Sequence, residues 1–217
     1  MTPMFPRMAD KVPPGEQGSV RIDHFTVSDE ASEFSRLRSA IKPGGRFEYV
    51  PPGVYARLVI DGKVMMSDTP MERYTNVGVV SEAHGHVLIA GLGLGMILWP
   101  ILAKEGVTEV TVIEKNPDVF DLVLPYVPDD LRLGVLEGDI YKWEPEKGVK
   151  FDTIYFDIWA DISEDNLSEM ATLHRRFGRR LNPGGWMGSW RKEHLVSERR
   201  RARQDPFRGM VKCRTFR

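Results

Sequence analysis

The sequence predicts an α/β protein with a Rossmann-like, doubly wound and mostly parallel sheet, preceded by a small N-terminal β-hairpin region. From residue 86 to residue 190, short apolar runs typical of buried strands alternate with helix-like segments. Such alternation indicates a parallel sheet with helices on both faces. The first apolar run ends in three alternating glycines, and the later runs end in acidic residues. Both features suit the carboxyl edge of an open α/β sheet, where ligands bind.

The first strand and its glycine loop lie in residues 86–97, HVLIAGLGLGMI. Gly91, Gly93 and Gly95 allow a sharp turn and close approach of a ligand to the backbone. A strand, a glycine loop and a helix place free backbone N–H groups at the sheet edge. The spacing is G-x-G-x-G, with Met96 where dinucleotide sites carry their last glycine, which disfavours NAD and FAD. No Gly-Lys-Ser/Thr follows, so a phosphate-binding P-loop is excluded.

Acidic residues follow the next three predicted strands. The run 110–113 ends in Glu114, nineteen residues after Gly95, the distance at which a second strand presents a carboxylate to ribose hydroxyls. The run 133–136 leads to Asp139, an acid placed to accept a hydrogen bond from an adenine amino group. The run 151–156 ends in Asp157, a candidate general base.

The segments between these strands predict crossover helices at 95–105, 117–124 and 164–180. Pro100 is expected to kink the first helix, because proline removes a backbone donor and clashes one turn back. An earlier helix is predicted over 29–41, with Ser28 as its N-cap.

Residues 58–66, LVIDGKVMM, predict two strands joined by an Asp-Gly turn, the strongest short-range hairpin signal. With 217 residues the chain is long enough for one domain or one domain and an appendage. We divide it into a loose N-terminal segment, 1–20, a helix and β-hairpin region, 21–80, and a Rossmann-like domain with a basic tail, 81–217.

Residues 84–190 resemble class I S-adenosylmethionine-dependent methyltransferases and their relatives, the spermidine synthases. The resemblance rests on the glycine loop, on VTVIEKNPD, LEGDI and FDTIYFD, and on the late turn LNPGGW. It implies that the glycine loop lies along the methionine part of the cofactor, that Glu114 binds the ribose and that Asp139 faces the adenine. The cofactor site so implied consists of Gly91, Leu92, Gly93, Gly95, Glu114, Lys115, Asp139, Ile140 and Asp157.

The N-terminal hairpin is similar to that of spermidine synthases, which is followed by a glutamine, an Asp-Glu pair and a tyrosine. Tyr74 stands near the position of that tyrosine and is, with Asp157, a candidate catalytic residue; Tyr74 and Trp159 are candidate walls of the acceptor pocket. The chain departs from the pattern at Met65, at Pro70-Met71 in place of the acidic pair, and at Leu94, where the glycine loop usually contains an aspartate.

Three function classes follow. The main hypothesis is an S-adenosylmethionine-dependent methyltransferase acting on a small molecule or peptide. The alternatives are an aminopropyltransferase that uses decarboxylated S-adenosylmethionine and a non-catalytic binding module on the same fold; cleavage of S-adenosylmethionine without an acceptor stays open. No nucleophile motif appears, and the histidines lack metal-ligand spacing, so no metal is expected.

The composition predicts a cytoplasmic protein with no membrane span and no secretory signal. Cys213 is the single cysteine, so no disulfide forms within the chain. From His174 onward there are fourteen Lys or Arg residues against three Asp or Glu, densest at Arg199–Arg203. This run allows a nucleic-acid contact, but a solvated helix face is the favoured interpretation, and a homodimer is a further possible assembly.

Overall fold

The computed structural model describes residues 5–41 and 49–204. Cys213 and a further strand that the sequence allows within 209–216 lie outside these residues. The described chain forms two sheets. The first is antiparallel, in the order β1-β2-β3-β4, and its strands are Gly15–Gln17, Val20–Val27, Gly53–Ile60 and Lys63–Ser67.

The second sheet confirms the Rossmann-like prediction. Its five strands are all parallel, in the order β7-β6-β5-β8-β9. They are β5 (Gly85–Ala90), β6 (Val107–Glu114), β7 (Leu133–Glu137), β8 (Phe151–Phe156) and β9 (Leu181–Ser189). β6 and β7 lie on one side of β5, and β8 and β9 lie on the other, so the strand order reverses at β5. A crevice opens beside the carboxyl end of β5, where ligands bind in such sheets.

Seven α-helices lie in the described residues: α1 (Asp29–Ile41), α2 (Pro70–Thr75), α3 (Val77–Glu82), α4 (Leu98–Leu102), α5 (Pro117–Val123), α6 (Asn166–Phe177) and α7 (Lys192–Gln204). The predicted helix over 29–41 is confirmed, and the Ser28 hydroxyl accepts a hydrogen bond from the backbone N–H of Ala31. No helix of the described residues has the length and apolarity needed to cross a membrane.

Side chains alternate between two hydrophobic clusters on the faces of the parallel sheet. Val87 and Ile89 of β5 pack in the cluster that also holds Ile22 and Leu58 of the antiparallel sheet. Leu88 and its neighbour Ala90 pack on the other face, in the cluster that contains Phe177 of α6. The first cluster therefore joins the two sheets into a continuous core, which fixes β4 and α2 beside the crevice.

The first crossover helix is shorter than the predicted segment 95–105. It spans only Leu98–Leu102, and Pro100 lies in its first turn. The first-turn N–H groups of a helix have no partner within the helix, so a proline costs little there. Pro100 is therefore accommodated by a late helix start rather than by a kink in a long helix.

The structure differs from the expected loose segment at residues 5–20. Met8 and Val12 are fully buried in the core, and Gly15–Gln17 pairs with β2. The proline- and glycine-rich composition does not predict this packing, because the packing depends on only a few apolar side chains. The division of the chain into three parts stays a prediction.

Asp68 anchors the segment that leads from β4 into α2. Its fully buried carboxylate accepts hydrogen bonds from the backbone N–H groups of Met8, at 2.6 Å, and Ala56, at 2.8 Å. Arg73 of α2 lies 3.5 Å from the same carboxylate. One side chain thus ties the N-terminal segment, β3 and α2 together.

Replacing Asp68 with alanine is expected to lower the free energy of unfolding by about 2 kcal/mol, because two buried backbone donors lose their acceptor. Urea denaturation of the two proteins measures the difference. An unchanged midpoint would mean that water or another acceptor satisfies these donors.

Candidate active site

A cavity of about 630 Å³ opens at the carboxyl edge of the parallel sheet, beside β4 and α2. This volume lies within the range of small-molecule sites. The predicted site residues that line it are Gly91, Leu92, Gly93, Glu114, Lys115, Asp139, Ile140, Asp157 and Trp159. The cavity is also lined by residues that the sequence did not indicate, chiefly Glu72, Asn76, Tyr141, Glu169 and Trp190.

The glycine loop needs its glycines for two different reasons. Gly91, with φ +96°, would place a side chain 2.2 Å from the backbone carbonyl oxygen of Asp157. Gly93, with φ +54°, would place one 2.3 Å from the sulfur of Met66, which belongs to β4. Gly95 has φ +72° but faces Val127 and is absent from the cavity wall. The first two glycines therefore shape the site, and the third shapes the turn behind it.

Glu114 ends β6 and is buried at the cavity wall. Its two carboxylate oxygens accept hydrogen bonds from the backbone N–H groups of Leu92 and Asn116, both at 2.8 Å. Glu114 therefore fixes the glycine loop to the end of β6. Each carboxylate oxygen has a second lone pair, so one carboxylate is able both to hold the loop and to accept ligand hydroxyl groups.

Asp139 follows β7 and lies on the same wall. One carboxylate oxygen accepts a hydrogen bond from the backbone N–H of Tyr141 at 3.0 Å, and the other lies 3.3 Å from the Lys115 ammonium. The hydrogen bond from Tyr141, followed by the interaction with Lys115, holds the pKa of Asp139 below its usual value. Asp139 is therefore ionised at neutral pH and acts only as an acceptor.

Replacing Asp139 with alanine is expected to weaken binding of methylthioadenosine about 10-fold, the effect of losing one hydrogen bond to a charged acceptor. Calorimetric titration measures the change. Asp129→Ala, which removes an exposed carboxylate outside the cavity, is the control. Equal affinities in the two variants would contradict a role for Asp139 in binding the nucleoside.

Asp157 directly follows β8, and its backbone N–H donates to the carbonyl oxygen of Ala90 at 2.8 Å. Burial raises the pKa of its carboxyl to about 7. A carboxyl with this pKa gains and loses a proton near neutral pH, as a general base requires.

Glu72 on α2 is a charged cavity residue that sequence reasoning missed. It lines the cavity, and burial, together with the nearby charge of Asp157, raises its pKa to about 8. The only sequence signal was its position, one residue after the Pro70-Met71 pair. Glu72 reaches the cavity only because β4 and α2 fold over the crevice.

The two predicted aromatic walls have different positions. Trp159 lines the cavity, and its indole N–H donates to the Glu169 carboxylate at 2.8 Å; the Tyr141 hydroxyl donates to the same oxygen at 3.0 Å. Tyr74 is 47% exposed and is not among the residues that line the cavity. Its catalytic role stays a prediction without support from the cavity.

These residues fit the nucleoside part of an S-adenosyl compound. Glycines with positive φ leave backbone exposed at the wall, and the carboxylates of Glu114 and Asp139 stand at the ends of neighbouring strands. The glycine loop supplies no carboxylate for the amine of an aminopropyl group, because position 94 carries a leucine, whose side chain is buried. The backbone N–H of Leu94 donates instead to the sulfur of Met66 at 3.2 Å.

The fold and the cavity define a Rossmann-like protein of the type that includes the class I methyltransferases and spermidine synthases. The crystal structure of spermidine synthase from Thermotoga maritima has the same fold, with a TM-score of 0.50 and 19% identity. That comparison covers 82% of this chain and 55% of the neighbour. No family model matches the chain.

Curated relatives give a more particular similarity. Polyamine aminopropyltransferase 1 of Streptomyces coelicolor is 31% identical over 129 residues, which cover 54% of this chain and 24% of the relative. Polyamine aminopropyltransferase of Shigella dysenteriae is 26% identical over 140 residues, covering 59% and 49%. The matched region therefore spans half or less of these relatives, both of which are named as polyamine aminopropyltransferases.

Proposed function

We propose that the protein is a transferase that moves an alkyl group from an S-adenosyl sulfonium donor to an amine. Aminopropyl transfer from decarboxylated S-adenosylmethionine is the favoured reaction, which revises the methyl transfer expected from the sequence. The observation that carries the proposal is the position of Asp157, a half-buried carboxyl in the same cavity as Gly91, Glu114 and Asp139, where removal from water raises its pKa to about 7. The similarity to polyamine aminopropyltransferases supports the choice of group.

The chain's own residues account for the steps around the transfer. Glu114 and Asp139 hold the nucleoside, and the backbone at Gly91 and Gly93 orients the rest of the donor. Asp157 takes the proton that an acceptor ammonium must lose before its nitrogen lone pair is free. When bound, the donor supplies an activated carbon: a C–N bond forms there, the C–S bond breaks, and the electron pair stays on the thioether sulfur.

Positioning and exclusion of water supply much of the rate in such a reaction. Met66, Ile158 and Trp190 surround the cavity with large side chains on three sides. They come from β4, from the loop after β8 and from the residue after β9. The antiparallel sheet is therefore part of the active site, since β4 forms one of the walls.

Methyl transfer is the second candidate, and Leu94 is the observation that favours it. An aminopropyl group ends in a free amine, and the glycine loop offers that amine no carboxylate. A methyl group contains no amine, so a methyl donor needs no carboxylate beside the group that is transferred.

The test is calorimetry with S-adenosylmethionine, its decarboxylated analogue, S-adenosylhomocysteine and methylthioadenosine, followed by mass spectrometry of products with putrescine present. Tight binding of the decarboxylated donor and formation of methylthioadenosine would support aminopropyl transfer. Preference for S-adenosylmethionine and S-adenosylhomocysteine would support methyl transfer. Binding of none of the four would overturn both and favour a binding module.

A further inference from the structure

Two carboxyls face the cavity without a hydrogen-bonding partner. In residues 5–41 and 49–204, no side chain lies within hydrogen-bond or ion-pair distance of the carboxyl oxygens of Glu72 or Asp157. The buried carboxylates of Asp68 and Glu114, by contrast, each accept two hydrogen bonds from backbone N–H groups. Carboxyls that are largely removed from water and lack a hydrogen-bonding partner are costly, so this pair indicates a ligand that brings its own donors.

The other charged groups around Glu72 do not satisfy it. Arg191 follows β9, and its charge opposes the rise in the pKa of Glu72. It is nevertheless beyond ion-pair distance, and its Nε is itself a buried donor with no acceptor in the described residues. Burial raises the pKa of the Tyr155 hydroxyl, and the charges of Asp157, Glu72 and Glu193 raise it further; Glu193 therefore adds negative charge to this region. The surroundings of the pair therefore favour an entering cation.

The neutral polar side chains nearby, Tyr155 and Asn76, already form hydrogen bonds with other groups. The Tyr155 hydroxyl donates to Asn76 Oδ1 at 3.0 Å, and Asn76 Nδ2 donates to the backbone carbonyl of Glu72 at 3.1 Å. Within residues 5–41 and 49–204, no group of three His, Cys, Asp or Glu side chains is arranged to hold a metal ion, and Mg²⁺ or Ca²⁺ would require several oxygen ligands. A primary ammonium has three N–H donors and one positive charge, which suits two carboxylate acceptors.

We propose that Glu72, supplied by α2, is a second carboxylate for the acceptor's amino group, in the same cavity as Asp157. The inference rests on the proposed function and adds a residue to it. Glu72 binds the ammonium and keeps it in place, while Asp157 receives its proton.

Binding then has a defined dependence on pH. The ammonium binds best when both carboxyls are ionised, and the two carboxyls together hold protons up to about pH 8 in the empty site. Affinity for an amine of high pKa therefore rises from pH 6 to pH 9, and binding below pH 8 releases protons into the buffer. With a purely structural role of Glu72, only Asp157 would titrate in the site, and both effects would end near pH 7 rather than near pH 8.

The experiment is titration of putrescine into the protein saturated with methylthioadenosine, with wild type, Glu72→Gln, and Glu82→Gln as the matched control. Glu82 is an exposed carboxyl on α3, outside the cavity. Loss of one charge-assisted contact is expected to weaken putrescine binding by about 10- to 100-fold in Glu72→Gln, with unchanged methylthioadenosine affinity. The rise in putrescine affinity with pH is expected to be smaller in Glu72→Gln than in wild type. Glu72→Asp is expected to restore part of that rise.

Equal putrescine affinity in wild type and Glu72→Gln, or no putrescine binding by a wild type that binds methylthioadenosine, would overturn the role of Glu72 and leave donor binding intact. Failure of the wild type to bind methylthioadenosine would overturn the proposed function, and this inference with it. Retained methylthioadenosine binding also shows that a variant is folded.

Discussion

Replacing Gly91 with alanine is expected to lower the free energy of unfolding by about 4 kcal/mol and to abolish donor binding, the combined cost of a forbidden backbone angle and a steric overlap. Gly91 has φ +96°, and an added Cβ would stand 2.2 Å from the carbonyl oxygen of Asp157. That carbonyl belongs to backbone, which has little freedom to move, because the N–H of Asp157 is bonded to Ala90. The end of β5 and the end of β8 must therefore separate.

The measurement is urea denaturation and calorimetric titration with methylthioadenosine. Gly78→Ala is the control, because Gly78 lies on the exposed side of α3 with nothing within 4 Å of an added Cβ. That control is expected to leave binding unchanged and to stabilise the helix slightly. A Gly91→Ala protein with wild-type stability and affinity would mean that the two strand ends are not packed as described.

The dependence of the site on strand ends explains why its cofactor half was predictable. Glu114 and Asp157 directly follow apolar runs, and Asp139 comes three residues after one. Parallel strands bring such positions to one edge of the sheet whatever the details of packing. The glycine spacing likewise reports a backbone requirement that no other residue type meets. These are local signals, and the fold places them without further information.

The acceptor half was not predictable in the same way. Glu72 reaches the cavity only because the antiparallel sheet packs on the first hydrophobic cluster and carries α2 over the crevice. Nothing in residues 70–75 records that contact. Tyr74, chosen for its position in a similar motif, lies two residues farther along a short helix and is half exposed. On a helix two residues apart, side chains point to different sides, so only one of the two enters the site.

The N-terminal residues show the same limit. Residues 5–20 contain few apolar side chains, and composition therefore indicates a loose segment. Three of those side chains, Met8, Val12 and Val20, are completely buried, and the Asp68 carboxylate holds the backbone at Met8. Burial of a few well-placed residues outweighs composition, and it is decided by tertiary contacts that a sequence pattern does not contain.

The second large effect is on stability as a function of pH. Between pH 6.5 and pH 9 the free energy of unfolding is expected to fall by about 2 to 3 kcal/mol in wild type, since one unit of pKa difference corresponds to about 1.4 kcal/mol. In the unfolded chain Glu72 and Asp157 ionise near pH 4. In the folded protein they keep their protons until about pH 8 and pH 7, mainly because burial disfavours the charged forms.

The sign follows from proton counting. Above pH 4.5 the folded state binds more protons than the unfolded chain, so raising the pH favours unfolding. The stabilising contribution of the two protonated carboxyls is complete below their unfolded pKa and is lost as the pH rises through the folded pKa values. His174, whose pKa is lowered to about 4 by burial, acts with the opposite sign between about pH 4 and pH 6.5, which is why the window begins at pH 6.5.

The double variant Glu72→Gln, Asp157→Asn separates this effect from every other titration. It keeps the shape of both side chains and removes both ionisations, so its stability is expected to change little from pH 6.5 to pH 9. At pH 9 it should be more stable than wild type, because it carries no buried like charges. A steep fall in the double variant would assign the pH dependence to other groups. At pH 9, putrescine should stabilise the wild-type protein but not the double variant, since only ionised carboxylates are stabilised by a nearby ammonium. Glu72 and Asp157 would then account both for the loss of stability at high pH without an amine and for the affinity of the site for an amine.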